Sequence, residues 1–203
     1  MERRMMNIQQ FTKDYLAGLK DVLDRFDYDG FEKTVKLILD AYDNEKHIFV
    51  MGNGGSGSTA SHFACDINKG CCIDLDKKFK MLCLNDNVPT MLALSNDISY
   101  ESVFVEQMKN FFNPGDLVIG ISGSGNSENV LQAIQYAKNN NARTIGFSGY
   151  SGGKLAAMVD VSIVAKVDDM QKVEDVHMII VHIIMQAVYK TLNTDQKSSK
   201  TIC

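Results

Sequence analysis

The sequence has little proline, with two among 203 residues (Pro89 and Pro114). No Pro- or Ser-rich shift in composition marks a linker, and no repeat of solenoid period is present. The chain therefore reads as one domain, residues 1–192, with a polar, disordered tail over 193–203. It also lacks any uninterrupted apolar stretch near the ~20 residues that a membrane span requires. The most apolar helical candidate, VHMIIVHIIMQAV, is short and carries two histidines. The opening MERRMMNIQQFTKDY turns polar at once and has no apolar signal core. The five cysteines are odd in number and form no paired C-x-x-C. That excludes a zinc-finger framework and points to reduced thiols in the cytoplasm. No basic run exists and the formal net charge is -4. A phosphate backbone needs a concentrated positive patch, so nucleic acid is not the expected partner.

What the chain does have is alternation. Short apolar runs recur at HIFVM (47–51), KMLCL (80–84), LVIGI (117–121), RTIGF (143–147) and VSIVA (161–165). Such nearly continuous, β-branched runs predict parallel strands buried on both faces. Helical segments are expected between them at roughly 56–69, 88–95, 101–112, 127–140 and 152–158. Two more precede the first strand, over 7–26 and 31–45, where apolar residues recur every three or four positions. A last helix, about 171–192, is apolar over more than one face and is expected to be buried between layers or subunits. Alternating strand and helix implies an open parallel sheet with right-handed crossovers. Ligands bind such sheets beyond the carboxyl ends of the strands.

Two loops stand at that edge. GNGGSGS (52–58) follows the first strand, and its glycines let backbone N–H groups approach a ligand ahead of a helix N-terminus. SGSGNSENV (122–130) follows the third, with hydroxyls on Ser122, Ser124 and Ser127, and Asn126 or Ser127 is placed to cap the next helix. Neither carries a nucleotide signature. The first lacks the G-K-[ST] ending of a P-loop, and no acidic residue closes a second strand at dinucleotide spacing, Asp86 being too far on. Two Ser/Gly loops without a lysine suit the phosphate of a small molecule.

GNGGS at 52–56, SND at 95–97, SGSGNS at 122–127 and VEDVHMIIVH at 173–182 together resemble the sugar isomerase (SIS) domain family, in its phosphoheptose isomerase branch. The resemblance runs from about residue 7 to 192. It implies a flavodoxin-like α/β three-layer sandwich with five parallel strands, a homotetramer, and a zinc-assisted conversion of sedoheptulose 7-phosphate to an aldoheptose phosphate. It also implies substrate contacts at Asn53, Gly54, Gly55, Ser56, Asn96, Asp97, Ser122, Gly123, Ser124, Ser127 and Glu174. His62, Asp66, Glu174 and His182 fall on the metal positions, Asp66 and His182 on the catalytic ones. The chain departs from the pattern twice, with Asp66 where the isomerases carry Glu and Glu174 where they carry Gln. An isomerase of another sugar phosphate, or a non-catalytic sugar-phosphate-binding regulator, are the alternative functions.

Spacing alone says less. His62 and Asp66, four apart on one helix, lie about 40° apart around its axis and share a face. Glu174 and His182 are about 80° apart and ~12 Å apart along the axis, a long gap for two ligands of one ion. Either both side chains lean inward or a neighbouring subunit supplies one. Read individually, His62 also suits a capping or core role, and His182, inside IIVHIIM, a satisfied buried histidine. His177, about 140° from His182, reads as structural or interfacial.

Overall fold

A computed structural model describes residues 6–193. Its five strands are β1 (His47–Gly52), β2 (Lys80–Cys83), β3 (Leu117–Ser122), β4 (Arg143–Gly149) and β5 (Val161–Ala165). All pair in parallel in the order β2-β1-β3-β4-β5. The expected strands thus form within two residues of their expected ends. The three inner strands are buried along nearly their whole length because both faces are covered. Ile48 and Val50 pack into one core cluster with Ile121, Phe147 and Ile180, whereas Phe49 and Met51 pack into another with Phe104, Val130 and Ile134.

Helices α1 (Ile8–Leu23), α2 (Tyr28–Asp43), α3 (Gly54–Cys65), α4 (Val88–Asp97), α5 (Val103–Lys109), α6 (Glu128–Asn139), α7 (Gly153–Met158) and α8 (Met170–Leu192) complete the sandwich. A 3-10 turn, Tyr100–Ser102, precedes α5. The helix expected over 56–69 differs in kind. It begins at Gly54, and after Cys65 it widens into a π-helical turn, Asp66–Cys71, packed against α8. Single π turns inside α-helices recur at functional sites, and this one opens on Asp66. Asn193, expected to start the tail, instead caps α8 and donates from Nδ2 to the Cys71 carbonyl at 3.2 Å. The rest of that tail, with Cys203, lies outside the described residues. Cys65, Cys71, Cys72 and Cys83 are free thiols. Burial pushes the Cys71 and Cys83 thiols up to about 12, so neither is a nucleophile at neutral pH. No helix among the described residues is long and apolar enough to cross a membrane.

The long helix α8 sends Val173, Val176, Ile180, Ile184 and Val188 into the core and leaves His182 and Ile183 exposed. A buried histidine ties it to the sheet. His177, 1% exposed, donates from Nε2 to the Ser148 carbonyl at the end of β4, 3.1 Å away. Burial pushes its pKa down from 6.5 to about 4. Unfolded, this histidine binds a proton near pH 6.5; folded, it stays neutral until about 4. Its contribution to stability is therefore complete above pH 6.5 and is lost as pH falls toward 4. Between pH 7 and pH 5 the loss is roughly 2 kcal/mol. Urea unfolding at the two pH values should show wild type losing that much more than a His177→Gln variant, which keeps a donor that cannot titrate. Equal losses in both would contradict this role.

Candidate active site

The strand order reverses between β1 and β3, so the loops that leave those strands part to opposite faces. Gly52 is registered against Ile121, which sets GNGGS and SGSGNS side by side at one sheet edge. Asn53 occupies the N-cap position of α3, where an Asn side chain normally bonds to its own helix. Here it makes no such bond. Its Nδ2 donates to Asn129 Oδ1 at 2.9 Å, and its Oδ1 accepts from Asn129 Nδ2 at 2.9 Å and from the Tyr100 hydroxyl at 2.8 Å. Ser127, the N-cap residue of α6, likewise makes no capping bond, and its hydroxyl lies 2.9 Å from that of buried Ser122. The expectation that Ser127 or Asn126 caps α6 fails for this reason. Asn126 is instead engaged elsewhere: its N–H donates to Ser124 Oγ at 3.2 Å, and its Oδ1 accepts from the Lys154 N–H in the first turn of α7 at 3.2 Å. Two helix N-termini with no side chain capping them thus open at one place, each offering N–H groups and a dipole that favour an anion.

The serine loop is rigid. Gly125 has φ of +66°, and a Cβ there would lie 2.1 Å from the Gly152 carbonyl oxygen, so no larger residue fits. Gly123 lies against the Met170 sulfur and accepts from the Gly149 N–H at 2.8 Å, fastening the loop to the end of β4. Gly54, with φ of +54°, and Gly55 are exposed, while Ser56 is buried.

His62 on α3 and Asp66 at the start of the π turn meet His182 of α8. The two Nε2 atoms are 2.9 Å apart, and His62 Nε2 lies 3.2 Å from Asp66 Oδ2. One donor atom from each residue falls within 4.8 Å of the others. The His62 Nε2 proton can serve one of its two contacts, not both. Three such donors facing one point suit a divalent cation, whose bonds to nitrogen and oxygen of about 2.0–2.2 Å are compatible with these separations. Glu174 is not in this cluster. Its carboxylate lies over the first turn of α3, where a Cβ on Gly55 would come within 2.5 Å of both oxygens. The ~12 Å rise between Glu174 and His182 along α8 is the reason: the helix runs beside α3, and each residue meets a different end of it. Asn96 and Asp97 are exposed on the last turn of α4 and bond to each other at 2.8 Å.

A family model described as the SIS domain matches residues 11–149. The chain belongs to the SIS domain family, in its phosphoheptose isomerase branch. Phosphoheptose isomerase of Helicobacter pylori strain P12 is 32% identical over 188 residues, 93% of either chain. That of Geotalea daltonii is 37% identical over 166 residues, 78% of this chain and 82% of the relative. The solved phosphoheptose isomerase from Neisseria gonorrhoeae superposes with a TM-score of 0.83 at 25% identity, over 90% of this chain and 98% of that one. The one from Francisella tularensis gives 0.84 at 23% identity, a likeness of fold, over 92% and 100%.

Within this SIS domain, sequence reasoning missed Asn129 and Tyr100. Asn129 is 2% exposed and looks in the sequence like an ordinary polar residue in a first helical turn. Its partner lies on another loop 76 positions away, and only the adjacency of β1 and β3 joins them. Tyr100 is exposed and follows SND by three residues, between the helices expected over 88–95 and 101–112, where the sequence assigns it no role.

Proposed function

We propose that this SIS domain, residues 1–192 acting as one unit, is a phosphoheptose isomerase. It interconverts sedoheptulose 7-phosphate and D-glycero-D-manno-heptose 7-phosphate through an enediol. The observation that carries this reading is the convergence of His62, Asp66 and His182 a few turns along α3 from two loops with uncapped helix N-termini. Named relatives at 32% and 37% identity are phosphoheptose isomerases. A regulator that only binds sugar phosphates has no use for the His/Asp cluster.

Aldose–ketose isomerisation moves a proton between adjacent carbons and another between their oxygens. Asp66 and His182 share this work: one group takes the proton from C1 and returns it at C2, while the other carries the proton from the C1 hydroxyl to the C2 oxygen. Atoms and electrons balance without an external oxidant. The serine loop, Ser122, Gly123, Ser124 and Ser127, holds the phosphate, and Asn53, Gly54, Gly55, Ser56, Asn96 and Asp97 hold the sugar, so the reacting carbons are fixed beside the acid–base pair. His62, Asp66 and His182 would hold a zinc ion; bound there, it would supply a Lewis acid for the two oxygens. The exposed apolar residues Ile8, Phe11 and Leu16 of α1, and Ile183 beside His182, support association of copies, which we propose to be a tetramer. We assign the protein to the cytoplasm.

A second reading is an isomerase of another sugar phosphate. It is favoured by the Glu174 carboxylate over α3, a fixed anion where a ligand's hydroxyls or phosphate would lie. A panel of ketose phosphates with zinc-supplemented protein separates the two. The expected result is turnover of sedoheptulose 7-phosphate at a kcat/KM at least tenfold above pentulose and hexulose phosphates, a discrimination of about 1.4 kcal/mol. Preference for a shorter ketose would move the assignment, and no turnover of any would remove it.

A further inference from the structure

We infer that Asn129 and Tyr100 are positioning residues that fix the orientation of the Asn53 amide, so that Asn53 presents an N–H donor, and not its carbonyl, to the sugar. The inference rests on the reading of the first loop as a sugar-phosphate site and adds residues to which that reading gives no role.

The chain of reasoning starts at a backbone donor. The Val130 N–H donates to Asn129 Oδ1 at 2.9 Å. A backbone N–H cannot accept, so this bond fixes which end of the Asn129 amide carries oxygen. That oxygen also accepts from Asn53 Nδ2, and the Asn129 Nδ2 donates to Asn53 Oδ1, both at 2.9 Å. The two amides form a closed, reciprocal pair, and the orientation of one dictates that of the other. Turning Asn53 over would set oxygen against oxygen and nitrogen against nitrogen. The Tyr100 hydroxyl, 2.8 Å from Asn53 Oδ1, occupies the second lone pair of that oxygen. The carbonyl of Asn53 is then saturated. Its Nδ2 keeps one N–H unspent, directed away from the pair by the planarity of the amide, and nothing among the described residues accepts it. Asn53 does not cap α3 with this group. The pair therefore does two things: it withdraws a side-chain cap from the α3 N-terminus, over whose first turn the Glu174 carboxylate lies, and it turns a two-faced side chain into a donor of fixed sense. Donor-only presentation selects the oxygen acceptors of a hydroxylated sugar or its phosphate.

Asn129 is buried, so its removal also touches stability, and the test uses variants that separate the two effects. Asn129→Asp keeps the oxygen that Val130 needs and loses the donor to Asn53. Tyr100→Phe removes one exposed hydroxyl and keeps the ring. With zinc-loaded protein and sedoheptulose 7-phosphate, Tyr100→Phe and Asn129→Asp should each raise KM about tenfold, roughly one hydrogen bond, with kcat changed less than about threefold. A role in stability alone would leave KM unchanged. The side-chain NH2 signals of Asn53 in 1H–15N spectra provide a readout independent of turnover, and both variants should shift them. Unchanged KM together with unchanged Asn53 signals in Tyr100→Phe overturns the inference while wild-type turnover still supports the isomerase. Failure of wild type to turn over, or to respond in its Asn53 signals to the sugar phosphate, overturns the reading of the site itself. Shifted amide signals without any change in KM leave the pair as structure only and also overturn the inference.

Discussion

Replacing His182 by alanine together with Asp66 by asparagine is expected to lower kcat for sedoheptulose 7-phosphate by about 10⁴, the upper range for a positioned acid–base pair. The single variants should each approach that loss, because two groups that pass protons in one sequence fail together rather than additively. Neither change should unfold the protein. His182 is exposed on α8 and Asp66 is only half-buried, so no core contact is removed. Circular dichroism and a melting curve check that point, and initial rates check the chemistry. Retention of more than about a tenth of wild-type kcat in the double variant would remove both residues from the reaction, since a general acid–base pair contributes at least ~10².

The second large effect is expected on stripping divalent ions. Chelation followed by desalting should lower kcat by about 10³, equivalent to the several kcal/mol that a bound cation contributes to developing charge on oxygen. Stoichiometric zinc should restore it. A His62→Ala variant should neither hold the ion nor recover, because removing Nε2 opens the meeting point of all three donors. Metal content by mass spectrometry separates this outcome from a loss of fold. Full activity in metal-free wild type would leave the cluster as a hydrogen-bonded triad without an ion.

The sequence was most legible where burial is two-sided. The strands could be located because each carries a mostly apolar run; in β1 it packs Ile48 and Val50 on one face and Phe49 and Met51 on the other. The meeting of His62 with Asp66 was also legible, because four residues on a helix share a face. Three features were not. The π turn from Asp66 to Cys71 is set by packing against α8, where a Cβ on Gly70 would lie 2.5 Å from the Met185 methyl, and nothing in DINKGC distinguishes it from a further α turn. The diversion of Asn53 from capping follows from a cross-loop partner, Asn129, and that of Ser127 from Ser122 at the other end of its own loop, neither of which helix-capping propensity foresees. The position of Glu174 over Gly55, apart from the histidine cluster, depends on where α8 crosses α3. The ~12 Å rise between Glu174 and His182 hinted at this separation, but not at the surroundings of the carboxylate.

These surroundings give the departures at Asp66 and Glu174 physical content. Asp66 reaches His62 at 3.2 Å from the first residue of the π turn, a place where the backbone changes pitch. Glu174 brings a negative charge to the uncapped N-terminus of α3, a favourable location for an anion. One carboxylate thus stands at each end of α3, with the sugar's reacting carbons proposed to lie between the two loops and the histidines.

The most direct test of the proton-transfer function is carbon-bound deuterium. Zinc-loaded protein is incubated with sedoheptulose 7-phosphate in D2O and the products are followed by NMR. The expected result is an aldoheptose phosphate carrying deuterium at C2, formed by wild type and absent with the His182→Ala, Asp66→Asn variant. A ketose recovered with no aldose and no deuterium on carbon, at protein concentrations near those of the substrate, would contradict it.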